Sequence, residues 1–383
     1  MSCFLPNKPV ENEDIEKVLG KINNYSSRAK SIVLRNNKIK KRYYAINPLT
    51  MELTHTNVEL VAQAILKLAP YGNFNLNDIE CLCCGTSSPD LLLPGHALMV
   101  QGELGIPNCE SVTTAGVCIS GMTAFKYAYM NIASGISRNA VATGSELSSA
   151  VLRAKFYSEN IDLDLNIETP NEKLNLEKTP ELAFNADFLR WMLSDGAGAA
   201  FLSNQKNENG ISLKIEWIEN ISYAGAYETC QYMGGTKLKD GSIVSWKSHD
   251  NLTPKQREYI MAIKQDVKLL NSLGVYTGID LALAGIIEKR NLRNEDIDWF
   301  LPHYSSGYFK NIIYDHLLNI NFEIPFEKWF TNLYEKGNTG SASIYIILEE
   351  LFKSGKLEKG QKILCFIPES GRFSHCYMLL TVQ

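Results

Sequence analysis

After Ile119, apolar residues recur at Met122, Phe125 and Tyr129 with the three-to-four-residue spacing of a helix face. Small residues fill the first turn of this helix, and the residues just before it have the pattern of a short extended segment. The sequence therefore predicts a strand that turns directly into a helix, with Cys118 in the turn between them.

Three further apolar runs, at residues 79–84, 199–202 and 297–301, have the pattern of strands. The second run is followed by a polar, turn-rich stretch at 203–210, which is typical of a break between structural units. The chain has 383 residues and 45% hydrophobic content, so its length alone suggests two or three core units.

The charge balance argues against some classes of function. The 38 basic and 42 acidic residues leave a net charge of −4, which gives no general attraction to nucleic acid or to an anionic membrane. The first twenty residues hold four acidic side chains and no apolar segment of a secretory signal, and no apolar run approaches transmembrane length. We expect a soluble, cytoplasmic protein that binds neither nucleic acid nor membrane.

Nine cysteines in such a chain favour reduced thiols over a disulfide framework. Cys81, Cys83 and Cys84 lie close together, but no second ligand pair follows at a spacing that suits zinc, and their run has the pattern of a buried strand. We interpret these three as core residues.

Cys118 is the first candidate for chemistry. A thiol just ahead of a helix faces unpaired backbone N–H groups and the positive end of the helix dipole, and both favour the thiolate. The position therefore predicts a nucleophile. Most free cysteines are small buried apolar residues, and from this motif alone that alternative stays open.

Two downstream motifs supply candidate partners. His303, in Leu301-Pro-His-Tyr-Ser-Ser-Gly-Tyr308, follows a predicted strand, and Asn338, in Glu335-Lys-Gly-Asn-Thr-Gly-Ser-Ala-Ser343, precedes a predicted helix that begins with small residues. Taken singly, His303 also fits a core histidine and Asn338 a helix cap or turn residue.

Taken in order, Cys118, the Pro-His pair at 302–303 and the Asn-Thr-Gly-Ser-Ala-Ser run at 338–343 resemble the thiolase-fold condensing enzymes, specifically the ketoacyl synthase III type with its Cys-His-Asn triad. The resemblance covers nearly the whole chain. The segment 5–12 looks like the opening turn of the family, and 194–201 looks like the glycine turn and strand that cross its core.

The resemblance implies an α/β, thiolase-like fold in which two pseudo-duplicated βαβαβ halves form layers of sheets and helices. Residues 1–205 would carry the nucleophile and residues 206–383 the histidine and asparagine. It also implies a homodimer that pairs central strands across a two-fold axis. We expect the strand at 139–143 to be the edge that pairs.

The loop Pro368-Glu-Ser-Gly-Arg-Phe373 departs from ketoacyl synthase III, whose corresponding segment is glycine-rich. Gly371 is left there as the expected second oxyanion donor, beside the backbone N–H of Cys118. The two histidine motifs of elongating ketoacyl synthases and the Cys-Gly-Gly-Gly-type loop of biosynthetic thiolases are both missing from the sequence.

Within the family, the stretch 27–44 and the loop Glu369-Ser-Gly-Arg372 are similar to the ketosynthase/cyclases of bacterial dialkylresorcinol and stilbene biosynthesis. These enzymes use a Cys-bound acyl group to join a β-ketoacyl thioester to an α,β-unsaturated acyl thioester, through Claisen and Michael steps, and form a cyclohexanedione. The resemblance implies the same reaction here, with Cys118 acylated and His303 and Asn338 activating the second substrate.

Two alternatives stand beside this interpretation. One is a priming β-ketoacyl-acyl carrier protein synthase III that uses acyl-CoA and malonyl-carrier protein. The other is a non-catalytic thiolase-fold partner, which is disfavoured because Cys118, His303 and Asn338 are all present. For both condensing enzymes the resemblance implies thioesters of coenzyme A or acyl carrier protein as substrates, and no metal or redox cofactor.

Arg35 and Arg372 are candidates for binding the substrate or its carrier. Arg35 lies in a run of seven basic residues between 28 and 42, which suits an anionic carrier but is equally typical of a solvated face. The polar segment within 151–190 is expected to be a surface excursion, or to cover the substrate tunnel or the dimer interface. His375 is the one further histidine that we expect near the site.

Overall fold

Two large β-sheets, with helices between them and on both outer faces, form the centre of the computed structural model, and three two-stranded sheets add to them. The structure describes residues 1–27, 29–70, 74–157, 188–208, 210–249 and 252–383. The strands of the first half are β1 (Ser2–Phe4), β2 (Val10–Glu11), β3 (Lys41–Arg42), β4 (Cys81–Thr86), β5 (Glu110–Ala115), β6 (Asn139–Glu146) and β7 (Gly196–Ser203). Those of the second half are β8 (Leu213–Ser222), β9 (Gln231–Tyr232), β10 (Gly235–Lys237), β11 (Ile243–Ser245), β12 (Lys264–Gln265), β13 (Trp299–Pro302), β14 (Lys362–Glu369) and β15 (Ser374–Val382). Within the described residues, the three two-stranded sheets pair β2 with β3, β9 with β12 and β10 with β11.

Helices lie in both halves of the chain. In the first half they are α1 (Ile15–Leu19), α2 (Lys30–Asn37), α3 (Asn57–Leu66), α4 (His96–Leu104), α5 (Ser120–Ala133) and α6 (Ser149–Leu152). In the second half they are α7 (Pro254–Ile260), α8 (Val267–Tyr276), α9 (Ala284–Arg290), α10 (Phe309–Asn319), α11 (Leu333–Lys336) and α12 (Ser343–Lys353).

The sheet of the first half has five strands in the order β1-β7-β6-β4-β5. β4 pairs in parallel with both β5 and β6, whereas β7 is antiparallel to β6 and to β1. The sheet of the second half has the order β13-β14-β15-β8, with β13 and β14 parallel and the other pairs antiparallel. Each sheet thus lies on its own side of the polar stretch at 203–210.

Side chains alternate between two cores along each central strand, as a strand period of two requires. On β4, Cys81 and Cys83 face the core that holds α5 and α12, while Leu82 and Cys84 face the core under α3 and α4. β14 and β15 divide their side chains in the same way between the α5/α12 core and the core under α8 to α10. The result is five alternating layers of helices and sheets, and the predicted α/β class is confirmed.

The three grouped cysteines are core residues, as predicted. Cys81, Cys83 and Cys84 are fully buried on β4. Among the residues that the structure describes, no group of three histidine, cysteine or acidic side chains is placed to hold a metal ion.

A row of glycines crosses the first sheet where α5 and α12 begin. Gly85, Gly144 and Gly198 are direct partners on β4, β6 and β7. A methyl group added to Gly144 would lie 2.3 Å from the carbonyl oxygen of Ser341, and one added to Gly85 would lie 2.3 Å from that of Ser120. The backbone leading into each helix therefore rests directly on the backbone of the sheet.

The order of strands in the first sheet contradicts the expectation that the strand at 139–143 is an edge strand that pairs in a dimer. β6 contains residues 139–143 and is hydrogen-bonded to β4 on one side and to β7 on the other, so it is an interior strand. The two edges of this sheet are β1 and β5. The expectation was wrong because strand order depends on long-range pairing, which the local apolar pattern does not encode.

Two further predictions concern the strand at 297–301 and the polar segment within 151–190. The strand expected at 297–301 is β13, which begins two residues later, at Trp299, and ends at Pro302. Most of the excursion expected within 151–190 lies outside the described residues.

One helical run, residues 267–290, is long and apolar enough by length and composition to cross a membrane. It consists of α8, a π-helical segment at Thr277–Leu283, and α9. Ile279, Leu283 and Ile286 are buried in the core on the outer face of the second sheet. Its apolar composition is therefore that of a core helix.

The glycine row gives a prediction for stability. Gly144→Ala is expected to lower the free energy of unfolding by about 1–3 kcal/mol or more, because the new methyl group overlaps the Ser341 carbonyl. Gly102→Ala, in an exposed part of α4 with open space around the added methyl group, is the matched control and should leave stability unchanged or raise it by up to about 1 kcal/mol. Denaturant unfolding of both variants measures the difference, and equal midpoints would contradict the close approach.

Candidate active site

Cys118 lies in the turn between β5 and α5, two residues before the helix begins. The backbone N–H and the hydroxyl of Ser120 both donate to the carbonyl of Val117, at 3.1 and 2.8 Å, and so fix the turn. The side chain of Cys118 is buried. The predicted strand-to-helix position is confirmed.

The electrostatic environment of Cys118 differs from the expected one. Burial raises the pKa of the thiol well above its ordinary value, and the carboxylates of Glu146 and Glu369 raise it further. Its own backbone N–H has the opposite effect, but a smaller one. The expectation that this turn favours the thiolate is therefore wrong, because desolvation and two nearby negative charges outweigh the local helix end.

Two small pockets meet at Cys118. We call the first, of about 50 Å³, the apolar pocket; it also contains His303 and Glu369. We call the second, of about 30 Å³, the polar pocket; it also contains Glu146 and Asn338. The structure thus brings the three predicted triad residues around one point. The walls of the apolar pocket include the apolar side chains Leu270, Val275, Phe309, Ile313 and Phe366.

His303 directly follows β13, at the carboxyl end of a strand that runs parallel to β14. Its backbone N–H donates to the carbonyl of Phe366, at 2.8 Å, which ties this end of β13 to its neighbour. Burial lowers the pKa of the His303 imidazole to about 4. At neutral pH the ring is therefore uncharged, with one N–H donor and one nitrogen lone pair.

Asn338 is held by its backbone on both sides. Its N–H donates to the carbonyl of Met192, at 3.1 Å, and its own carbonyl accepts from the N–H of Ser194, at 2.8 Å. The side-chain Oδ1 accepts from the N–H of Gly340, at 2.9 Å. The carbonyl end of the amide is thus occupied, and no acceptor for its Nδ2 is found elsewhere among the described residues.

Glu146, at the end of β6, is the central acceptor of the polar pocket. Its carboxylate accepts from the hydroxyls of Ser87, Ser88 and Ser341, at 2.6, 3.0 and 2.8 Å. Burial raises its pKa, and the bonds from Ser87, Ser341 and Ser88 oppose that rise. Because Ser341 belongs to the segment that leads into α12, Glu146 joins the first half of the chain to the Asn338 loop of the second.

Glu369 ends β14 and faces Cys118 across the apolar pocket. Burial raises the pKa of its carboxyl to about 7, and the nearby Ser374 hydroxyl and backbone N–H groups of Gly371 and Val117 oppose that rise. Its Oε1 lies against Gly371, where an added methyl group would come within 2.1 Å of it. Gly371 itself lines neither pocket, and the role of its N–H as a second oxyanion donor stays a prediction.

Three uncharged polar side chains extend the polar pocket beyond the triad. The hydroxyl of Ser370 donates to Oε1 of Gln231, at 2.6 Å, and lies 3.3 Å from Oε1 of Gln265. Ser370 lines both pockets, whereas the two glutamines line only the polar one. Sequence reasoning missed Gln231, Gln265 and Glu146, because short polar segments far apart in the chain carry no signal that they converge.

Neither candidate arginine lines the two pockets. Arg372 is exposed, and its Nε donates to the carbonyl of Tyr227, at 2.8 Å. Arg35 is exposed in the last turn of α2. His375, which we expected near the site, lies on β15 behind Phe366, with its Nε2 2.8 Å from the hydroxyl of Thr277.

The basic run at 28–42 divides into paired and unpaired side chains. Arg28 lies outside the described residues. Lys30 pairs with Glu16 at 3.2 Å, Lys40 and Lys41 pair with Glu335 at 3.6 and 3.2 Å, and Arg42 is buried against the carbonyl of Trp191. Within the described part of the chain, Arg35 and Lys38 are the exposed cations of this run that form no ion pair.

Known proteins resemble this chain over nearly its whole length. Residues 287–369 match the family described as 3-oxoacyl-[acyl-carrier-protein (ACP)] synthase III C terminal. A β-ketoacyl-[acyl-carrier-protein] synthase III of Clostridium perfringens is 25% identical over 365 residues, which are 94% of this chain and 91% of that protein.

Solved structures show the same fold. AbyA1, a tetronic acid condensing enzyme, superposes with a TM-score of 0.73 at 18% identity, over 99% of this chain and 98% of its own. OleA of Xanthomonas campestris, solved with bound lauric acid and lauroyl-CoA, gives a TM-score of 0.70 at 17% identity, over 99% of this chain and 97% of its own. The predicted thiolase-like fold is confirmed.

The raised pKa of Cys118 predicts slow alkylation at neutral pH. An ordinary cysteine thiol has a pKa of about 8.5, and each unit above that lowers the thiolate fraction at pH 7 about tenfold. Iodoacetamide should therefore modify Cys118 at least about tenfold more slowly than a free thiol at pH 7, with a rate that still rises above pH 9. Peptide mapping across a pH series measures this, and Cys118→Ser identifies the peptide. Modification that reaches its plateau below pH 7 would show a stabilised thiolate instead.

Proposed function

We propose that this chain, an acyl-transferring condensing enzyme similar to ketoacyl synthase III, joins a β-ketoacyl thioester to an α,β-unsaturated acyl thioester and closes a cyclohexanedione ring. The observation that carries the condensing chemistry is the position of Cys118, which lines both the pocket of His303 and the pocket of Asn338. A nucleophile flanked by N–H donors is what thioester condensation requires.

Acylation of Cys118 is the first half of the reaction. Because the thiol is protonated at rest, a neighbouring group has to accept its proton as the sulfur attacks the first thioester. The free nitrogen lone pair of neutral His303 suits that task. The backbone N–H of Cys118 is one donor for the oxyanion that forms.

Enolate formation on the second thioester is the second half. The Nδ2 group of Asn338 has its donors available because Oδ1 is already bonded to Gly340. The N–H of neutral His303 is a second donor. Together they would stabilise the enolate oxygen while its carbon attacks the acyl group on Cys118.

Ring closure is supported by the composition of the two pockets. The polar pocket, with Gln231 and Gln265 beside Ser370, suits the additional oxygen of a β-ketoacyl group. The apolar pocket suits a hydrocarbon chain. Glu369 and Ser370 place polar side chains where ketoacyl synthase III has a glycine-rich loop, and that departure favours a different second substrate from malonyl-carrier protein.

A priming β-ketoacyl-acyl carrier protein synthase III is the second candidate function. The observation that favours it is the name shared by the curated relatives, two of which align with more than nine-tenths of this chain. In that reaction, loss of carbon dioxide from malonyl-carrier protein would generate the enolate.

The carrier is proposed to be coenzyme A or acyl carrier protein, bound near the end of α2. Arg35 and Lys38 are exposed there, and the carbonyl of Asn37 accepts from the N–H of Gly307, at 2.9 Å, in the segment that follows His303. Accessible cations thus lie beside the loop that carries a site residue, where an anionic carrier is attracted.

A homodimer is proposed to form through β5. This edge strand immediately precedes the Cys118 turn, and each of its residues is half-buried or exposed. An exposed edge offers unpaired backbone groups to a second strand. Light scattering at micromolar concentration should give twice the chain mass, and a monomeric mass would remove this proposal.

Product analysis tests the proposed reaction. Purified protein given a β-ketoacyl thioester together with an α,β-unsaturated acyl thioester should release a cyclic dione, identified by mass spectrometry, and should use malonyl-carrier protein poorly. Efficient decarboxylative condensation without any ring product would favour the priming enzyme instead.

Two variants belong to the same experiment. Cys118→Ala should form neither the acyl-enzyme nor the product. Asn338→Ala should still acylate Cys118 but condense about two to three orders of magnitude more slowly, because it loses donors to the enolate. Asn319→Ala, at an exposed position at the end of α10, is the matched control and should behave as wild type.

A further inference from the structure

Glu369 is an acidic side chain in the pocket of the nucleophile for which the mechanism above has no use. It lines the apolar pocket together with Cys118 and His303. It is half-buried, and it forms no ion pair with any cation of the described chain.

Three polar groups lie near the carboxylate of Glu369. They are the hydroxyl of Ser374 on β15, the N–H of Gly371 in the hairpin turn and the N–H of Val117, the residue before the nucleophile, and each lowers the pKa of the carboxyl. The carboxylate therefore lies beside the Cys118 turn. Its charge also acts on the thiol, whose pKa it raises.

His303 and Glu369 are the two candidate proton acceptors in this pocket, and their environments shift their pKa values in opposite directions. Burial lowers the pKa of His303 to about 4 and raises that of Glu369 to about 7. The basicity of a group follows its pKa, so near neutral pH the carboxylate is the stronger base and the imidazole is a neutral N–H donor. The remaining titratable groups around the pocket are Cys118 and Tyr304, with Glu146 across the polar pocket.

We propose that Glu369 is the catalytic base that removes the α-proton of the second acyl thioester. The proposal rests on the proposed function as a condensing enzyme, and it specifies the class of second substrate. That substrate is an acyl thioester with an acidic α-hydrogen, such as a β-ketoacyl thioester, and it needs no carboxyl group to lose.

The proton and electron balance of the step is complete with the groups present. The α-carbon–hydrogen bond breaks, its proton passes to a carboxylate oxygen of Glu369, and its electron pair enters the enolate bound by His303 and Asn338. The enolate carbon bonds to the carbonyl carbon of the acyl group on Cys118, and the carbon–sulfur bond breaks. The proton on Glu369 then passes to the Cys118 thiolate, which restores the thiol and the carboxylate.

The experiment separates this step from acylation. Cys118 is first acylated with an α,β-unsaturated acyl-CoA, and a β-ketoacyl-CoA is then added in a single turnover followed by mass spectrometry. Glu369→Gln should acylate within a few-fold of wild type and condense about 10²–10⁴-fold more slowly, the usual effect of losing a general base. Glu358→Gln, an exposed carboxylate ahead of β14, is the matched control and should condense at the wild-type rate.

A pH series adds a readout that a purely structural role would not change. In wild type the condensation rate should rise with pH through the titration of a group near 7, and this rise should disappear in Glu369→Gln. Glu369→Asp retains the carboxylate on a shorter side chain, so it should recover part of the rate and keep the rise.

The outcomes distinguish the two proposals. If wild type makes no product from the paired thioesters, the proposed function fails and the base assignment fails with it. If wild type does make product, then a Glu369→Gln enzyme that condenses within about threefold of wild type, with the same pH profile, overturns the base assignment alone. Loss of acylation in both Glu369 variants would also overturn it, because Glu369 would then act in the first half-reaction or in folding.

Discussion

The site depends on a few glycines in the first sheet, because only a residue without a side chain leaves room for the backbone that packs on it. α5 and the segment leading into α12 meet over Gly85 and Gly144, and the carbonyl of Ser341 lies too close to Gly144 for any larger residue. Cys118 lies two residues before one of these helices and Asn338 lies five residues before the other. Two segments more than two hundred residues apart in the chain are thereby brought to one point, and Glu146 completes the junction by binding Ser341.

Much of this arrangement was accessible from the sequence. Helical spacing after Ile119 and the short strand before it placed Cys118 correctly at a strand-to-helix turn, and the apolar run near 297–301 placed His303 at the end of β13 within two residues. The local patterns succeeded because they depend on neighbours along the chain. The resemblance to condensing enzymes then supplied the layered fold, which no single pattern contained.

The predictions that were wrong concern properties that depend on residues far apart in the chain. The interior position of β6 follows from its pairing with β4 and β7, and no local pattern reports which strands pair. The thiol was expected to ionise because of the helix end beside it, but Glu146 and Glu369 come from other parts of the chain and reverse the effect. Glu369 was visible in the sequence only as an acidic residue in a loop where glycines were expected, and no local pattern indicated that it lies in the same pocket as Cys118.

The triad residues and the wall of the apolar pocket are held in different ways, and this difference affects which positions of the chain can vary. The triad is held by turns that pack backbone against backbone at glycine positions, so few substitutions are compatible with it. The wall of the apolar pocket is different, because Leu270 and Ile313 project from α8 and α10 on the outer side of the second sheet. A change of side-chain volume at either position would alter the apolar pocket through helices that carry none of the three residues Cys118, His303 and Asn338. The wall of this pocket and the proposed chemistry are therefore set by different parts of the fold, which could change independently in evolution.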